Sequence, residues 1–131
     1  MIMIMRIWHG VTEAPRSEGF FNYLMETGVP WYRTLNGNRG VFVLRRMKEG
    51  RSEFLLLSLW DSESSIRAFA GPDIDKAVYN FAGDKDFLIE LESEVAHYEV
   101  LTAISSGEPT PRPEGKYSIS YDPLFPRSPP V

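Results

Sequence analysis

Four stretches of the chain carry apolar side chains at most of their positions, at residues 2–11, 40–47, 53–60 and 95–102. Each is rich in Val, Ile, Leu or aromatic residues, and glycine or charged turns bound most of them, which is typical of β-strands. Residues 48–52, Lys-Glu-Gly-Arg-Ser, join the second and third stretches and predict a hairpin. The pattern therefore predicts four strands, two of them directly connected.

A helix is predicted between the first and second strands. Apolar side chains recur at helical spacing over residues 17–27, at Phe20, Phe21, Leu24 and Met25. Gly28 stands where a left-handed C-terminal residue is needed, and Pro30 prevents continuation of the helix.

A second helical region is predicted between the third and fourth strands. Asp61 or Ser62 can cap a helix with apolar residues on one face, which ends at Gly71-Pro72. Asp73 is expected to cap a further helical piece, and residues 83–86 are expected to form a turn. The apolar positions of that further piece are Ile74, Ala77, Val78 and Phe81.

The order of these elements is strand, helix, strand, strand, helix, strand, which is that of the split βαβ, ferredoxin-like fold. The predicted class is therefore α+β with an antiparallel sheet, and residues 1–104 are the predicted domain. We expect the third and first strands to be central. The first and last strands are expected to occupy non-adjacent positions, with the last strand at an edge.

Both faces of the predicted sheet are apolar. The third strand has Leu55, Leu57 and Leu59 on one face and Phe54, Leu56 and Trp60 on the other. The first strand divides likewise into Met3, Met5, Ile7 and Val11 against Ile2, Ile4 and Trp8. The strands of a sheet with one solvent-exposed face would alternate apolar and polar residues. The two predicted helices can cover only one face of this sheet. We therefore expect a homodimer, with the C-terminal extension as the alternative cover.

Composition narrows the class of protein. The chain has 131 residues and a formal net charge of −4, without a Lys/Arg-rich run, so nucleic acid is not an expected partner. It has no cysteine, which excludes disulfides, thiolate catalysis and thiolate metal sites. No apolar run suggests a signal peptide or a membrane span, so the expected location is cytoplasmic.

The last part of the chain differs in composition from the rest. Seven of the 10 prolines lie in residues 105–131, which we interpret as a Pro-rich extension. Such a stretch is usually a flexible tail. Tyr117, Ile119 and Tyr121 alternate with serines, however, and predict that the extension docks on the domain or on the partner subunit.

Five short segments carry a resemblance to a known family. They are IWHG at 7–10, ETGVP at 26–30, GNRG at 37–40, FLLLSLWDS at 54–62 and HYEV at 97–100. Together they resemble the antibiotic-biosynthesis-monooxygenase-like (ABM) superfamily, and more narrowly a poorly characterised bacterial branch of it. The resemblance covers residues 4–102 and implies a dimeric α/β barrel.

The family resemblance implies more about fold than about chemistry, because its members include cofactor-free oxygenases of aromatic quinols, haem-degrading enzymes and proteins of no known activity. The haem-degrading members carry an Asn on the first strand, and a Trp and a ligating His where this chain has Phe69 and Tyr79. All three positions differ here, so haem degradation is not expected. We predict no cofactor and no metal.

Candidate catalytic bases are the two histidines, His9 and His97, both on predicted strands. An imidazole in an apolar pocket can deprotonate a phenol or enol near neutral pH, and the resulting carbanion can react with O₂ without flavin or metal. The alternative for each is a hydrogen-bonded structural histidine. Candidate substrate-binding residues, with core packing as their alternative, are Trp8, Trp60, Phe69 and Tyr79.

Three arginines interrupt the apolar strands, at Arg6, Arg45 and Arg46. Either Arg45 or Arg46 must point inward if its strand is regular, where it could hold a carboxylate or an enolate. We favour the other interpretation, an ion pair to Glu53 or Glu99 across the dimer interface.

Two functions remain open from the sequence. The first is a cofactor-independent monooxygenase-like protein acting on an aromatic or enolic small molecule in a pocket beside the sheet. The second is a non-catalytic dimeric small-molecule-binding or stress-related module. A roomy pocket with a histidine at its wall would favour the first, and a filled pocket the second.

Overall fold

The computed structural model describes residues 2–81 and 83–104. Its strands are β1 (Met3–Glu13), β2 (Asn38–Lys48), β3 (Arg51–Trp60) and β4 (Ala96–Val100). They form one antiparallel sheet in the order β2-β3-β1-β4. The four predicted strands and the ferredoxin-like α+β class are confirmed, with β3 and β1 central.

The prediction that the first and last strands occupy non-adjacent positions is wrong. β4 lies at an edge as expected, but it pairs with β1, and Arg6 stands opposite His97. Because β3 occupies one side of β1, the chain returning from the second helical region adds β4 to the other, free side of β1.

Two helices lie between β1 and β2, after a short 3₁₀ turn at Ala14–Arg16: α1 (Ser17–Glu26) and α2 (Gly28–Tyr32). The prediction that Gly28 is left-handed is wrong, since Gly28 is not among the residues with positive φ. It begins α2 instead, because Pro30 falls in the first helical turn, where no intrahelical N–H is needed.

The helix after β3 is confirmed as α3 (Glu63–Ala70), and the Ser62 side chain caps it by accepting a hydrogen bond from the Ser65 amide. The further helix predicted from Asp73 is wrong, because residues 71–81 contain no helix. Lys76 and Glu94 form an isolated antiparallel β-bridge through their backbones, and the Ala77 amide donates to the Ser93 carbonyl. The predicted turn at 83–86 falls mostly within a single helical turn, α4 (Asp84–Phe87).

The hairpin between β2 and β3 is as predicted. Glu49 and Gly50, with φ of 53° and 78°, connect Lys48 to Arg51. Positive φ at both central residues is the geometry of a type I′ turn, whose twist matches that of the flanking strands.

The two faces of the sheet have different surroundings. Trp60, Phe54 and Phe20 are almost completely buried between the sheet and the helices. The opposite face, here the open face, carries the residues that alternate with these. It includes Leu44 and Tyr98, which are 43% and 60% exposed. The predicted division of apolar residues between two faces is confirmed.

The Pro-rich extension, residues 105–131, lies outside the described residues, and its docking stays a prediction. Within the described part of the chain, no helix is long and apolar enough to cross a membrane.

Candidate functional site

A half-open cavity of about 50 Å³ lies on the helix-covered face of the sheet, bordered by α1, α2 and the chain around residues 78–81. Five aromatic side chains contribute to its wall: Trp8, Phe20, Tyr32, Tyr79 and Phe81. Arg6 and Asp84 are its charged groups. An apolar cavity that binds benzene measures ~150 Å³, so this cavity holds only water-sized occupants in the observed conformation.

Trp8 and Tyr79, two of the predicted substrate-binding residues, meet at the cavity wall. The indole N–H of Trp8 donates to the Tyr79 hydroxyl over 2.9 Å, and that hydroxyl donates to the Glu92 carbonyl over 2.7 Å. Burial raises the pKa of Tyr79. Because its proton is held in a hydrogen bond, this residue is a neutral phenol.

Gly10 makes room for the Trp8 indole two residues away on β1. A Cβ atom at Gly10 would lie 2.1 Å from Cη2 of Trp8, well inside van der Waals contact. The absence of a side chain at this position therefore allows the indole to lie along the strand and form the cavity wall.

Arg6 is the buried cation of the site, with 2% of its surface exposed. Its guanidinium donates to the carbonyls of Ile74 and Lys76 over 2.6 and 2.8 Å and lies 5.3 Å from the centre of the Phe69 ring. Burial lowers the pKa of Arg6, but a guanidinium stays protonated in proteins. The site therefore has a fixed positive charge within an aromatic wall.

His97 contacts Arg6 rather than the cavity. Arg6 Nη1 lies 3.0 Å from His97 Nε2, and His97 Nδ1 lies 3.3 Å from the Asp75 carboxylate. Arginine can only donate, so Nε2 accepts and the ring proton is on Nδ1. Burial, and then the positive charge of Arg6, lowers the pKa of His97. This predicted base is a neutral imidazole at the back of the site.

His9, the other predicted base, lies on the open face. Its Nδ1 is 2.6 Å from Glu92 Oε2, and its Nε2 is 2.7 Å from Glu53 Oε2. Burial lowers the pKa of His9, but the hydrogen bonds to Glu92 and Glu53 outweigh burial, so its pKa is raised overall. The structure does not bring His9 to the cavity or to His97.

Trp60 and Phe69 belong to the core behind the cavity. Trp60 is completely buried, donates its indole N–H to Ser58 Oγ over 2.9 Å and stacks on Phe69 at 5.3 Å between ring centres. Phe69 in turn packs against Arg6. Of the four predicted substrate-binding residues, Trp8 and Tyr79 therefore line the cavity, whereas Trp60 and Phe69 do not.

No protein-family model matches the chain, and neither does any curated protein. Solved structures do match. A Bacillus cereus protein named as a putative antibiotic biosynthesis monooxygenase superposes with a TM-score of 0.58 at 15% identity, over 81% of this chain and 100% of its own. A Nitrosomonas europaea protein with the same name gives a TM-score of 0.57 at 16% identity, over 76% and 90%. This chain has the ABM-like fold.

The likeness extends to an archaeal protein. A conserved protein from Methanosarcina mazei superposes on this chain with a TM-score of 0.56 at 18% identity, over 75% of this chain and 92% of its own. The resemblance read from the sequence is thus confirmed at the level of the fold.

Two arginines on β2 have partners within the same chain. Arg46 donates to Glu53 across the β2–β3 pair over 2.8 Å, so the predicted pairing of these residues exists without a second subunit. Arg45 lies on the helix-covered face and pairs with Glu18 of α1 over 2.8 Å, a partner that was not predicted.

The cavity contains an acid that the sequence interpretation missed. The sequence predicts only a turn at residues 83–86, which contains Asp84. Burial raises the pKa of Asp84, and its negative charge contributes to the raised pKa values of Tyr23 and Tyr79. Arg6 could have been recognised as unusual from the sequence, since it interrupts an apolar strand, but its role at the cavity was not inferred.

Among the described residues, no cluster of His, Asp and Glu could hold a metal ion.

Proposed function

We propose that this ABM-like protein oxygenates a small aromatic or enolic molecule without a cofactor, in the cavity beside the sheet. The observation that carries the proposal is the buried guanidinium of Arg6 in an aromatic wall. A fixed positive charge in a site of low dielectric stabilises an anion as it forms, and a flat aromatic molecule packs well against Trp8 and Tyr79.

The chemistry needs an electron-rich anion. Deprotonation of a substrate CH₂ next to an enolisable carbonyl leaves a carbanion, whose negative charge is shared with the enolate oxygen. The carbanion carbon forms a bond to O₂, and the resulting peroxide loses water to leave a new carbonyl. Arg6 would hold the enolate oxygen, and stabilising this charge makes the first proton easier to remove.

The other predicted residues take supporting roles in this proposal. His97 accepts a hydrogen bond from Arg6 and would position the guanidinium, with Phe69 packed against the same group. Trp60 would support Phe69 from the core. His9, on the open face, would act at a subunit interface rather than on the substrate.

Substrate entry requires a movement of the cavity wall. The cavity measures about 50 Å³, and an aromatic ring needs about three times as much space. Val78, Tyr79 and Phe81 contribute to the wall from a segment without helix or strand. We propose that Val78 and Tyr79 move outward when substrate binds, since they belong to no helix or strand, while the Phe81 carbonyl keeps its hydrogen bond from the Asp84 amide.

We also propose that two subunits pair through the open face. Its central part carries Ile7, Leu55 and Leu57 beside the exposed Leu44. Monomers rarely expose a contiguous apolar patch larger than a few hundred Å². A second copy of the same face supplies a matching apolar surface, which is the usual arrangement in a twofold dimer.

The proposed activity is tested by oxygen consumption. Purified protein is expected to take up O₂ with anthrone or a related quinol as substrate. Arg6→Met is expected to lower the rate at least ~100-fold, as loss of one group that stabilises an oxyanion does. Arg67→Met is a matched control, because Arg67 is an exposed arginine on α3 paired with Glu63. Circular dichroism establishes that both variants fold.

The alternative is a binding protein without catalysis, and the small volume of the cavity favours it. Such a protein would bind an aromatic ligand in a manner sensitive to Arg6→Met, but it would consume no O₂ with any member of a quinol and anthrone panel. That outcome would replace the oxygenase proposal with this one.

A further inference from the structure

The first residue of α4, Asp84, faces the same cavity as Arg6 and Trp8. Its backbone is fixed on both sides, because its amide donates to the Phe81 carbonyl and its carbonyl accepts from the Leu88 amide. The adjacent Gly83 leaves no room for a side chain, since a Cβ atom there would lie 2.6 Å from the Tyr23 ring. The carboxylate is therefore carried on an anchored part of the wall.

The negative charge of Asp84 affects the pKa values of the tyrosines around the cavity. Burial raises the pKa of Tyr32 to about 12; the positive charge of Arg6 opposes this rise and the negative charge of Asp84 adds to it. The Asp84 charge also adds to the effect of burial on Tyr23 and Tyr79. Arg6 and Asp84 thus act on Tyr32 in opposite directions, as expected for a cation and an anion that line one cavity.

The carboxylate of Asp84 has no cationic partner within 4.0 Å among the residues that the structure describes. Arg6, which lines the same cavity, directs its bonds to two carbonyls and to His97. Asp84 therefore differs from the other described acids that form ion pairs, such as Glu53 and Glu18.

The other titratable groups at or near the cavity cannot readily accept a proton. Tyr32 and Tyr79 are neutral phenols, because their pKa values lie above the ordinary value of 10.0. The unprotonated ring nitrogen of His97 already accepts a hydrogen bond from Arg6. His9 lies on the opposite face of the sheet. Asp84 is the one acid lining the described cavity.

We propose that Asp84 is the catalytic base, which takes a proton from an aromatic or enolic substrate whose oxygen faces Arg6. This inference rests on the proposed function. The substrate proton moves to a carboxylate oxygen of Asp84, and the electron pair of the broken bond stays on the enolate. After O₂ has added to this carbon, Asp84 gives its proton to the terminal oxygen of the peroxide. The Asp84 carboxylate then removes the second proton of the same carbon, and the electron pair of that C–H bond forms the new carbonyl as the O–O bond breaks. The departing hydroxide takes this proton from Asp84 and leaves as water. Burial raises the pKa of Asp84, which makes the carboxylate a stronger base than an exposed one.

The first experiment compares Asp84→Asn with Asp86→Asn, which alters an exposed acid on the same helical turn. With anthrone and O₂, Asp84→Asn is expected to lower kcat at least ~100-fold, the usual effect of removing a general base, whereas Asp86→Asn stays within about threefold. The wild-type rate is expected to fall at acid pH as Asp84 becomes protonated, and Asp84→Asn is expected to lose this dependence. A rate for Asp84→Asn within threefold of wild type would overturn the assignment.

The second experiment does not depend on turnover. 4-Nitrophenol is a probe whose visible absorbance separates the phenol from the phenolate, so its pKa can be measured while it is bound. The Asp84 carboxylate disfavours a second anion nearby, so the bound probe is expected to have a lower pKa in Asp84→Asn than in wild type, by about one unit. Equal values in the two proteins would overturn the placement of Asp84 against the ligand.

The two experiments also separate the failure of this inference from that of the proposed function. If wild type consumes no O₂ but the bound probe responds to Asp84→Asn, the oxygenase proposal fails and Asp84 remains the proton acceptor of a binding site. If oxygen uptake is normal in Asp84→Asn, the proposed function holds and the role of Asp84 is refuted. If wild type does not bind the probe at all, both are refuted.

Discussion

Arg6 on β1 donates a hydrogen bond from its guanidinium to Nε2 of His97 on the adjacent strand β4, over 3.0 Å. The two residues stand directly opposite each other in the strand register. Since only a neutral imidazole can accept this bond, the presence of Arg6 fixes the protonation state of His97. The same guanidinium holds the carbonyls of Ile74 and Lys76, so one buried side chain joins two strands and the segment after α3.

This relationship predicts that the fold loses stability in acid through His97. The pKa of His97 is lowered in the folded protein, so the unfolded chain binds a proton more readily. Stability is therefore full above the ordinary value of 6.5 and falls as the pH decreases toward the folded value. In His97→Gln the amide oxygen can still accept from Arg6, and the urea unfolding midpoint is expected to fall less between pH 7 and pH 5 than it does in wild type. An equal fall of the midpoint in the two proteins would contradict the neutral His97.

His9 is expected to show the opposite pH dependence. Its pKa is raised in the folded protein, where Glu92 and Glu53 accept hydrogen bonds from its ring. Its contribution to stability is therefore full below 6.5 and is lost as the pH rises through the raised value. The difference in urea midpoint between wild type and His9→Gln should be larger at pH 6 than at pH 9. A larger difference at pH 9 would exclude a protonated His9 held by these carboxylates.

Gly10 is expected to tolerate no side chain. In Gly10→Ala the new methyl group meets the Trp8 indole, so either the ring or the strand must shift, at a cost of ~1–3 kcal/mol in the free energy of unfolding. The matched control is Gly28→Ala, because no atom lies within 4 Å of a Cβ placed there and the residue begins α2. Urea denaturation measures both. Equal stability of the two variants would show that the Trp8 ring does not lie over Gly10.

A charge placed on the open face is expected to disrupt the proposed subunit pairing. Leu44→Glu on β2 puts a carboxylate on this face and is expected to convert a dimer to a monomer in sedimentation at micromolar concentration. Met47→Glu is the control. Met47 is 55% exposed on the same strand, but it pairs with the buried Ser52 and so lies on the helix-covered face rather than the open face. It should leave the dimer intact. A monomeric wild type would refute the subunit pairing.

The fold could be predicted largely from short-range patterns. Leu55, Leu56 and Leu57 alternate between the two faces of β3 because successive side chains of a strand point in opposite directions. Ser62 marks the start of α3 because its hydroxyl accepts a backbone hydrogen bond three residues away. Rules of this kind depend only on residues close together in the chain, so the elements they specify can be predicted from the sequence.

The site depended on contacts between residues far apart in the chain. The apolar spacing after Asp73 predicts a helix, but Arg6, 68 and 70 residues away, binds the Ile74 and Lys76 carbonyls, and the Ala77 amide donates to Ser93. Asp84 looks like an ordinary turn residue until the folded chain places it beside the aromatic wall. Local periodicity specifies which elements form and which faces are apolar. Which buried charge meets which backbone group depends on how those elements pack together, because hydrogen bonds of this kind have no signature in the sequence near either partner.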